Sequence, residues 1–270
     1  MSHYRIGFIG AGNMATAIAR GLVSAAEYAA GDCLASDISD ERRGRFNKAT
    51  HIDTTDDNAR VVSDCRTVVL AIKPQQCEEV LVPLREASQC PERFVSILAG
   101  VRTERIEKAL GGNIRVVRAM PNLPLQIGCG MTGLCRGRFA DESDLEASAA
   151  LFRPSGEVVV VDEERMDMVA ALSGSGPAYF AAMAQAMIEA GLEDGLGLTD
   201  ARRLVGQTML GTARTILETS DNLNDLVRRV MSPGGSTEAA FKVLGEREAM
   251  KAMKEAVAAA RERNEELGRG

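Results

Sequence analysis

The chain has no tryptophan, and aromatic residues make up only 4% of its 270 residues. So few rings leave no stacking platform for nucleic-acid bases. A basic excess is also missing: 32 Lys and Arg stand against 38 Asp and Glu, for a net charge of −6. This argues against a nucleic-acid partner, which needs a positive face, but leaves room for a small anion pocket. Histidine is reduced to His3 and His51, and the six cysteines form no Cys-x-x-Cys pair. A zinc ligand set is therefore lacking, and no metal is expected. Unpaired cysteines of this kind read as reduced thiols. No apolar run reaches membrane-spanning length, and no secretory leader is recognisable. A cytoplasmic protein with no membrane partner is expected.

What is present is a chain of ordinary globular composition, 45% hydrophobic and 26% charged, long enough for two modest domains. Its first part alternates strand-like and helix-like segments. Tyr4 to Ile9, Cys33 to Ser36, Thr67 to Ile72, Phe94 to Leu98, Ile114 to Arg118 and Val158 to Val161 read as strands. Asn13 to Ser24, Glu41 to Thr50, Gln76 to Ala87 and Arg102 to Leu110 read as helices. That alternation predicts an α/β fold, a Rossmann-like doubly wound parallel sheet. After Glu163 the β signal ends. Pro177 to Gly191, Thr199 to Thr219 and Glu248 to Leu267 carry helical apolar faces rich in Ala and Met. The expected division is a dinucleotide-binding domain over 1–163 and an all-helical domain over 164–270. The small residues on those helices suit close packing, within the chain or in a dimer.

Gly10-Ala11-Gly12-Asn13-Met14-Ala15 fits G-x-G-x-x-A, directly after a strand and opening a helix. In that context it is a dinucleotide-binding turn. Gly10 makes the bend, Gly12 lets a pyrophosphate approach the backbone, and Ala15 lets the helix pack close to its strand. Asp37, at the end of the second strand, sits near the usual ribose position, which favours NAD. Ser36 precedes it, however, and Arg42 and Arg43 follow. If Ser36 holds the strand-end position, Asp37 faces solvent, so NADPH and NADH both stay open. The second informative segment is Ser232-Pro233-Gly234-Gly235-Ser236-Thr237. Two glycines after a proline, flanked by helical sequence, expose backbone amides that can hold a carboxylate.

Taken together these segments resemble pyrroline-5-carboxylate reductase. The resemblance rests on Gly7-Phe8-Ile9-Gly10-Ala11-Gly12-Asn13-Met14, Ala71-Ile72-Lys73-Pro74-Gln75, Ala99-Gly100-Val101 and Arg118-Ala119-Met120-Pro121-Asn122. Its most specific parts are Leu172-Ser173-Gly174-Ser175-Gly176-Pro177-Ala178-Tyr179 and the Ser232–Thr237 loop. It implies reduction of a cyclic imine carboxylate, 1-pyrroline-5-carboxylate, to L-proline with NADPH or NADH. Ile9, Gly10, Ala11, Gly12, Asn13 and Met14 would lie along the coenzyme pyrophosphate. Ser36 and Asn58 would reach the adenosine ribose and any 2′-phosphate. Ala71, Ile72, Lys73 and Pro74, with Ala99 and Gly100, would line the nicotinamide side. Substrate would be held by Glu163, Ser232, Gly234, Gly235, Ser236 and Thr237, with Thr237 catalytic through the ring nitrogen. The family often has Thr where Ser236 and Ala171 stand, and Ser236 keeps the hydroxyl. The family also implies a homodimer through the helical domain, in some members extended to a decamer of dimers.

Lys73 precedes a proline, which forces extended backbone, so it reads as a main-chain contact rather than a general acid. Ser173 and Ser175 have no histidine to activate them and read as a close-packed helix start. Two other readings compete with the reductase. A 3-hydroxyacid dehydrogenase wants a positioned lysine in the helical part, where Lys242, Lys251 and Lys254 lie outside any glycine-rich site. A coenzyme-sensing regulator would have no use for the Ser232–Thr237 loop.

Overall fold

A computed structural model describes residues 3–269 apart from Ser88 and Asp221. The chain folds into two compact units, one of Met1–Ser175 with Ala260–Gly270 and the other of Gly176–Ala259.

The first unit is built on one sheet. Its strands are β1 (Tyr4–Ile9), β2 (Cys33–Ser36), β3 (Asp53–Thr55), β4 (Cys65–Leu70), β5 (Arg93–Ser96), β6 (Val116–Met120), β7 (Gly130–Arg136) and β8 (Gly156–Val160). The helices between them are α1 (Asn13–Ser24), α2 (Asp40–Thr50), α3 (Asn58–Asp64), α4 (Cys77–Leu81), α5 (Thr103–Leu110) and α6 (Glu142–Ala149). The short α7 (Met166–Val169) closes the series. The strand order is β3-β2-β1-β4-β5-β6-β7-β8.

Side chains of the central strands go alternately to two cores, as a pleated strand with both faces covered requires. Ile6 and Phe8 of β1, Val69, Val95 and Val117 enter one core with Ile18 of α1 and Phe46 of α2. Ile9, Val68, Leu70, Phe94 and Val116 enter the other with Leu81 of α4 and Ile106 of α5.

The expected parallel, doubly wound sheet is found, with one departure. β7 runs antiparallel to β6. A 3₁₀ turn at Leu123–Ile127 and Gly128 in the left-handed region carry the chain directly from β6 to β7. A link this short cannot make the crossover a parallel partner needs. The short, polar β3 and the glycine-rich β7 carry no strand-like run, and both lie outside the expected strands. The single helix expected over Gln76 to Ala87 is broken. A 3₁₀ turn at Pro74–Gln76 leads into α4, and Val82–Glu86 is again 3₁₀, with Pro83 in its first turn. Proline lacks the N–H that would continue α4.

The second unit is helical: α8 (Gly176–Glu193), α9 (Leu198–Glu218), α10 (Leu223–Val230), α11 (Ser236–Glu246) and the start of α12 (Ala249–Arg269). By compactness this helical unit begins at Gly176. Met166, Ala170 and Ala171 are buried in the first unit. The final turns of α12 also belong there, where Leu267 packs on Gly100. Among the described residues no helix is long and apolar enough to cross a membrane.

Candidate active site

β1 pairs with β2 on one side and β4 on the other, so the strand order reverses at β1. The crevice at the carboxyl ends of strands at such a reversal is where open α/β sheets bind ligands. Gly10 and Ala71 stand there side by side. The Gly10 N–H donates to the Ser36 carbonyl at 2.7 Å, and the Ala71 N–H donates to the Ile9 carbonyl at 2.8 Å. Gly10 has φ +99°, and a Cβ on it would fall 2.5 Å from the Ala71 carbonyl oxygen. Its lack of a side chain is a requirement of the fold.

Gly12 differs. It caps α1 with an ordinary extended backbone, φ −80° and ψ −177°, and a Cβ there would meet nothing within 4 Å. The first turn of α1 has no acidic residue and no side-chain cap. Its free amides and the helix dipole therefore face open space, which suits a pyrophosphate. These features fit a dinucleotide.

A cavity of about 310 Å³ adjoins the turn and brings together the expected residues Ile9, Gly10, Gly12, Asn58, Ala71, Ile72 and Lys73. It also takes in Asp37, Ile38 and Arg42. A neighbouring cavity of about 430 Å³ is lined by Ala11, Gly12 and Asn13 with Arg20, Arg42 and Arg45. Lys73 is exposed and extended, φ −72° and ψ 142°, as the following Pro74 dictates. Ser36 is fully buried, with its hydroxyl 2.7 Å from Asn58 Oδ1. Met14, Pro74, Ala99 and Gly100 lie outside the lining of both cavities.

Asp37 does not face solvent, as a strand-end Ser36 would have had it. Its carboxylate accepts from the Ala11 N–H at 3.0 Å and the Ser39 N–H at 2.9 Å. Arg42 adds Nε at 2.9 Å and Nη2 at 2.7 Å. Burial pushes this carboxyl up, but the bonds from Arg42, Ser39 and Ala11 outweigh it and hold the group below the usual carboxylate range.

Farther along the sheet, Asn122 ties two of the glycine-rich segments together. Its Nδ2 donates to the Ser173 carbonyl and lies equally close to its hydroxyl, at 3.2 Å, and its Oδ1 accepts from the Met131 N–H at 2.9 Å. Residues Ala170–Gly174 form a π-helical turn, a feature frequent at functional sites. A Cβ on Gly174 would come within 2.7 Å of Met120 Cε, so this turn rests directly on the end of the Met120 side chain of β6.

In the second unit, the Ser232–Thr237 loop opens α11. Gly234 has φ +71°, a left-handed value that glycine adopts freely. The Gly235 N–H closes the turn onto the Ser232 carbonyl at 3.0 Å. The Gly234 N–H donates to the Glu238 carboxylate at 2.7 Å. Ser236 and Thr237 are the first residues of α11, whose N-cap Gly235 offers no side chain, so their N–H groups lack intrahelical acceptors.

Two family models match. One, described as pyrroline-5-carboxylate reductase dimerisation, covers residues 163–267. The other, described as NADP oxidoreductase coenzyme F420-dependent, covers residues 5–100. A pyrroline-5-carboxylate reductase of Pseudomonas aeruginosa is 39% identical over 99% of this chain and 98% of its own. The chain belongs to the pyrroline-5-carboxylate reductase family. The Synechocystis reductase is 37% identical over 98% of both chains. The solved structure of the Coxiella burnetii reductase superposes with a TM-score of 0.88 at 37% identity, covering 98% of this chain and 99% of that one. A Plasmodium falciparum pyrroline carboxylate reductase, solved with NADP bound, gives 0.89 at 26% identity and 99% coverage of both.

Against this family background, Glu163 is more engaged than its place in an acidic run suggests. Its carboxylate accepts from the Thr103 N–H at 2.7 Å and the Thr103 hydroxyl at 2.8 Å. It thereby caps α5, whose own N-cap, Arg102, makes no side-chain cap. Arg118, 2% exposed, lies 3.6 Å from Glu163 and 3.4 Å from Asp167. No local pattern could have revealed this pairing, because its partners come from β6, α5, the turn before α7 and α7 itself. Arg42 is legible in the sequence only as a basic residue near the end of β2, and its grip on Asp37 requires the fold.

Proposed function

We propose that this chain reduces 1-pyrroline-5-carboxylate to L-proline with NADPH, and that NADH is a weaker donor. The observation carrying this reading is that one chain joins an unobstructed dinucleotide turn at Gly12 to the bare-backbone loop Ser232–Thr237, along a length shared with curated reductases. The test is oxidation of each coenzyme with racemic pyrroline-5-carboxylate and identification of L-proline as product. Tight NADPH binding without turnover would overturn it in favour of a coenzyme-sensing regulator.

When bound, NADPH supplies the hydride that the imine carbon accepts. The residues that would hold it are Gly10, Ala11, Gly12, Asn13 and Met14 along the pyrophosphate. Asn58, Ile72 and Lys73 line the same crevice, and Ala99 and Gly100 stand on the nicotinamide side. Ser36 acts through Asn58, which it meets behind the cavity wall.

The loop's part is positioning and charge complementarity. The N–H groups of Ser236 and Thr237 hold the substrate carboxylate at the start of α11. That carboxylate displaces Glu238 from the Gly234 amide. Ser232 supports the turn at Gly235. The Thr237 hydroxyl donates a hydrogen bond to the ring nitrogen of the neutral imine and relays a proton to it from solvent, regaining its own in the same step. Once the iminium has formed, its N–H donates to the Thr237 oxygen. An iminium nitrogen leaves the carbon electrophilic without a strong enzyme acid, which suits a chain with two histidines. Glu163 adds negative charge that favours the cation. Thr237→Ala is expected to lower kcat about tenfold, the worth of one hydrogen bond to a charged group, with unchanged NADPH affinity. Steady-state kinetics beside coenzyme titration checks this, and equal losses in both would remove Thr237 from the catalytic role.

The helical unit is the dimerisation element of this reading. Phe180, Met183 and Met187 lie along one side of α8 and are 60%, 48% and 52% exposed, as is Leu204 of α9 at 58%. Apolar surface on this scale is the mark of an interface. The proposed state is a homodimer, with further assembly into a decamer of dimers, in the cytoplasm, where the six thiols stay reduced. Met183→Glu is expected to weaken self-association at least tenfold, because it buries a charge, with roughly unchanged helix content. Sedimentation equilibrium with circular dichroism measures both, and an unchanged dimer would move the interface off α8.

A further inference from the structure

Two observations bear on how the adenosine end of the coenzyme is read, and this inference rests on the coenzyme reading above. A carboxylate at the end of β2 normally accepts a hydrogen bond from the ribose 2′-hydroxyl and repels a 2′-phosphate. Asp37 stands at that place but is fully engaged. A carboxylate has about four lone-pair sites. Asp37 receives Ala11, Ser39, and Arg42 Nε and Nη2, and Nε lies 2.9 Å from both of its oxygens. Its side chain is 7% exposed. It has neither the free acceptor nor the access that a ribose hydroxyl requires.

Arg42 is the opposite. Its side chain is 42% exposed, and it lines both the 310 Å³ cavity and the 430 Å³ cavity, which share Gly12. Asp37 holds it through Nε and Nη2, leaving Nη1 out of that pair. A guanidinium fixed along one edge presents its remaining edge in a set direction, the arrangement that favours phosphate over hydroxyl. Arg20 and Arg45 line the second cavity and add positive potential. The acids nearby are Glu41, 3.7 Å from Arg45, and Glu79 on the first cavity. Arg43 takes no part, since its two terminal nitrogens donate to the Asp37 carbonyl and to Asp40.

We propose that Arg42 takes the 2′-phosphate of NADPH, and that Asp37 is the positioning residue that aims it. Discrimination between the two coenzymes thus lies in an Asp–Arg pair and not in the buried Ser36 with Asn58. A carboxylate that by position would favour NADH is turned into the support of a phosphate-binding arginine.

Calorimetric titration of the full chain with 2′,5′-ADP and with 5′-ADP tests this without any turnover. The wild-type chain should favour 2′,5′-ADP. Arg42→Gln should weaken 2′,5′-ADP about thirtyfold and 5′-ADP less than about twofold, the loss of charge-assisted bonds to one phosphate. Retained 5′-ADP binding also reports that the variant is folded. Should Arg42→Gln fail to fold, Arg42→Lys keeps a charge beside Asp37 but loses the fork, and a roughly tenfold loss for 2′,5′-ADP alone carries the same meaning. An unchanged ratio in either variant overturns the proposal. So does a wild-type chain that binds both nucleotides equally, or a change of ratio in Arg43→Gln in place of Arg42→Gln. Turnover separates this from the reductase reading. If the wild-type chain reduces pyrroline-5-carboxylate with neither coenzyme, that reading falls, while the nucleotide ratio still judges Arg42.

Discussion

Gly12→Val should weaken NADPH binding by more than about a hundredfold while leaving the melting temperature essentially unchanged. A side chain at Gly12 would meet no protein atom within 4 Å, and its backbone is in an extended conformation open to any L-residue. The fold therefore has no stake in this glycine. The coenzyme does, because a branched side chain at the N-cap of α1 stands between the pyrophosphate and the amides that would bind it. Losing those charge-assisted bonds together gives the expected magnitude. Gly10→Ala is the control. It forces φ +99° on an alanine and drives its Cβ to 2.5 Å from the Ala71 oxygen, so it should lower stability outright. Fluorescence titration with NADPH and thermal melting of both variants make the comparison. If Gly12→Val binds NADPH normally, the pyrophosphate does not cross this turn.

Arg118→Met should cost about 3–5 kcal/mol of folding stability, the usual penalty for removing one member of a buried ionic group. Arg118 is the largest fully buried side chain among the described residues, placed between Glu163 and Asp167. Methionine fills much of the volume but leaves two carboxylates without their shared cation. Glu163 also caps α5 through Thr103, so its displacement loosens that helix as well. Urea unfolding followed by circular dichroism gives the size of the effect. Adding Asp167→Asn should restore part of the loss, because one of the orphaned charges is then gone. A loss below about 1 kcal/mol in Arg118→Met would mean that the acids are stabilised by other neighbours.

Much of the framework is legible in the amino-acid sequence. The strands that build the centre of the sheet are short apolar runs bounded by Gly, Pro or Asp, and their residues divide between two cores as alternation demands. β3 and β7 are not legible for the same reason in reverse. β3 is three polar residues, held by pairing with β2, and β7 carries two glycines in a segment with no run of apolar residues. Pairing with a neighbouring strand makes them strands. The breaks around α4 come from Pro74 and Pro83, local signals that the apolar spacing between them masks.

By itself the sequence determined the strand–turn–helix at Gly10 to Ala15, the bare loop at Ser232 to Thr237 and the change from mixed to helical architecture. Each is a matter of local backbone freedom and residue period, and none needs a distant partner to be expressed. Only the tertiary structure decided what the charged groups do. Asp37 became the support of Arg42 because the Ala11 amide and the start of α2 converge on it. Glu163 became a helix cap because Thr103, sixty residues away in the chain, was brought within 2.7 Å. A carboxylate's role follows from which donors reach it through space, and chain order does not carry that information.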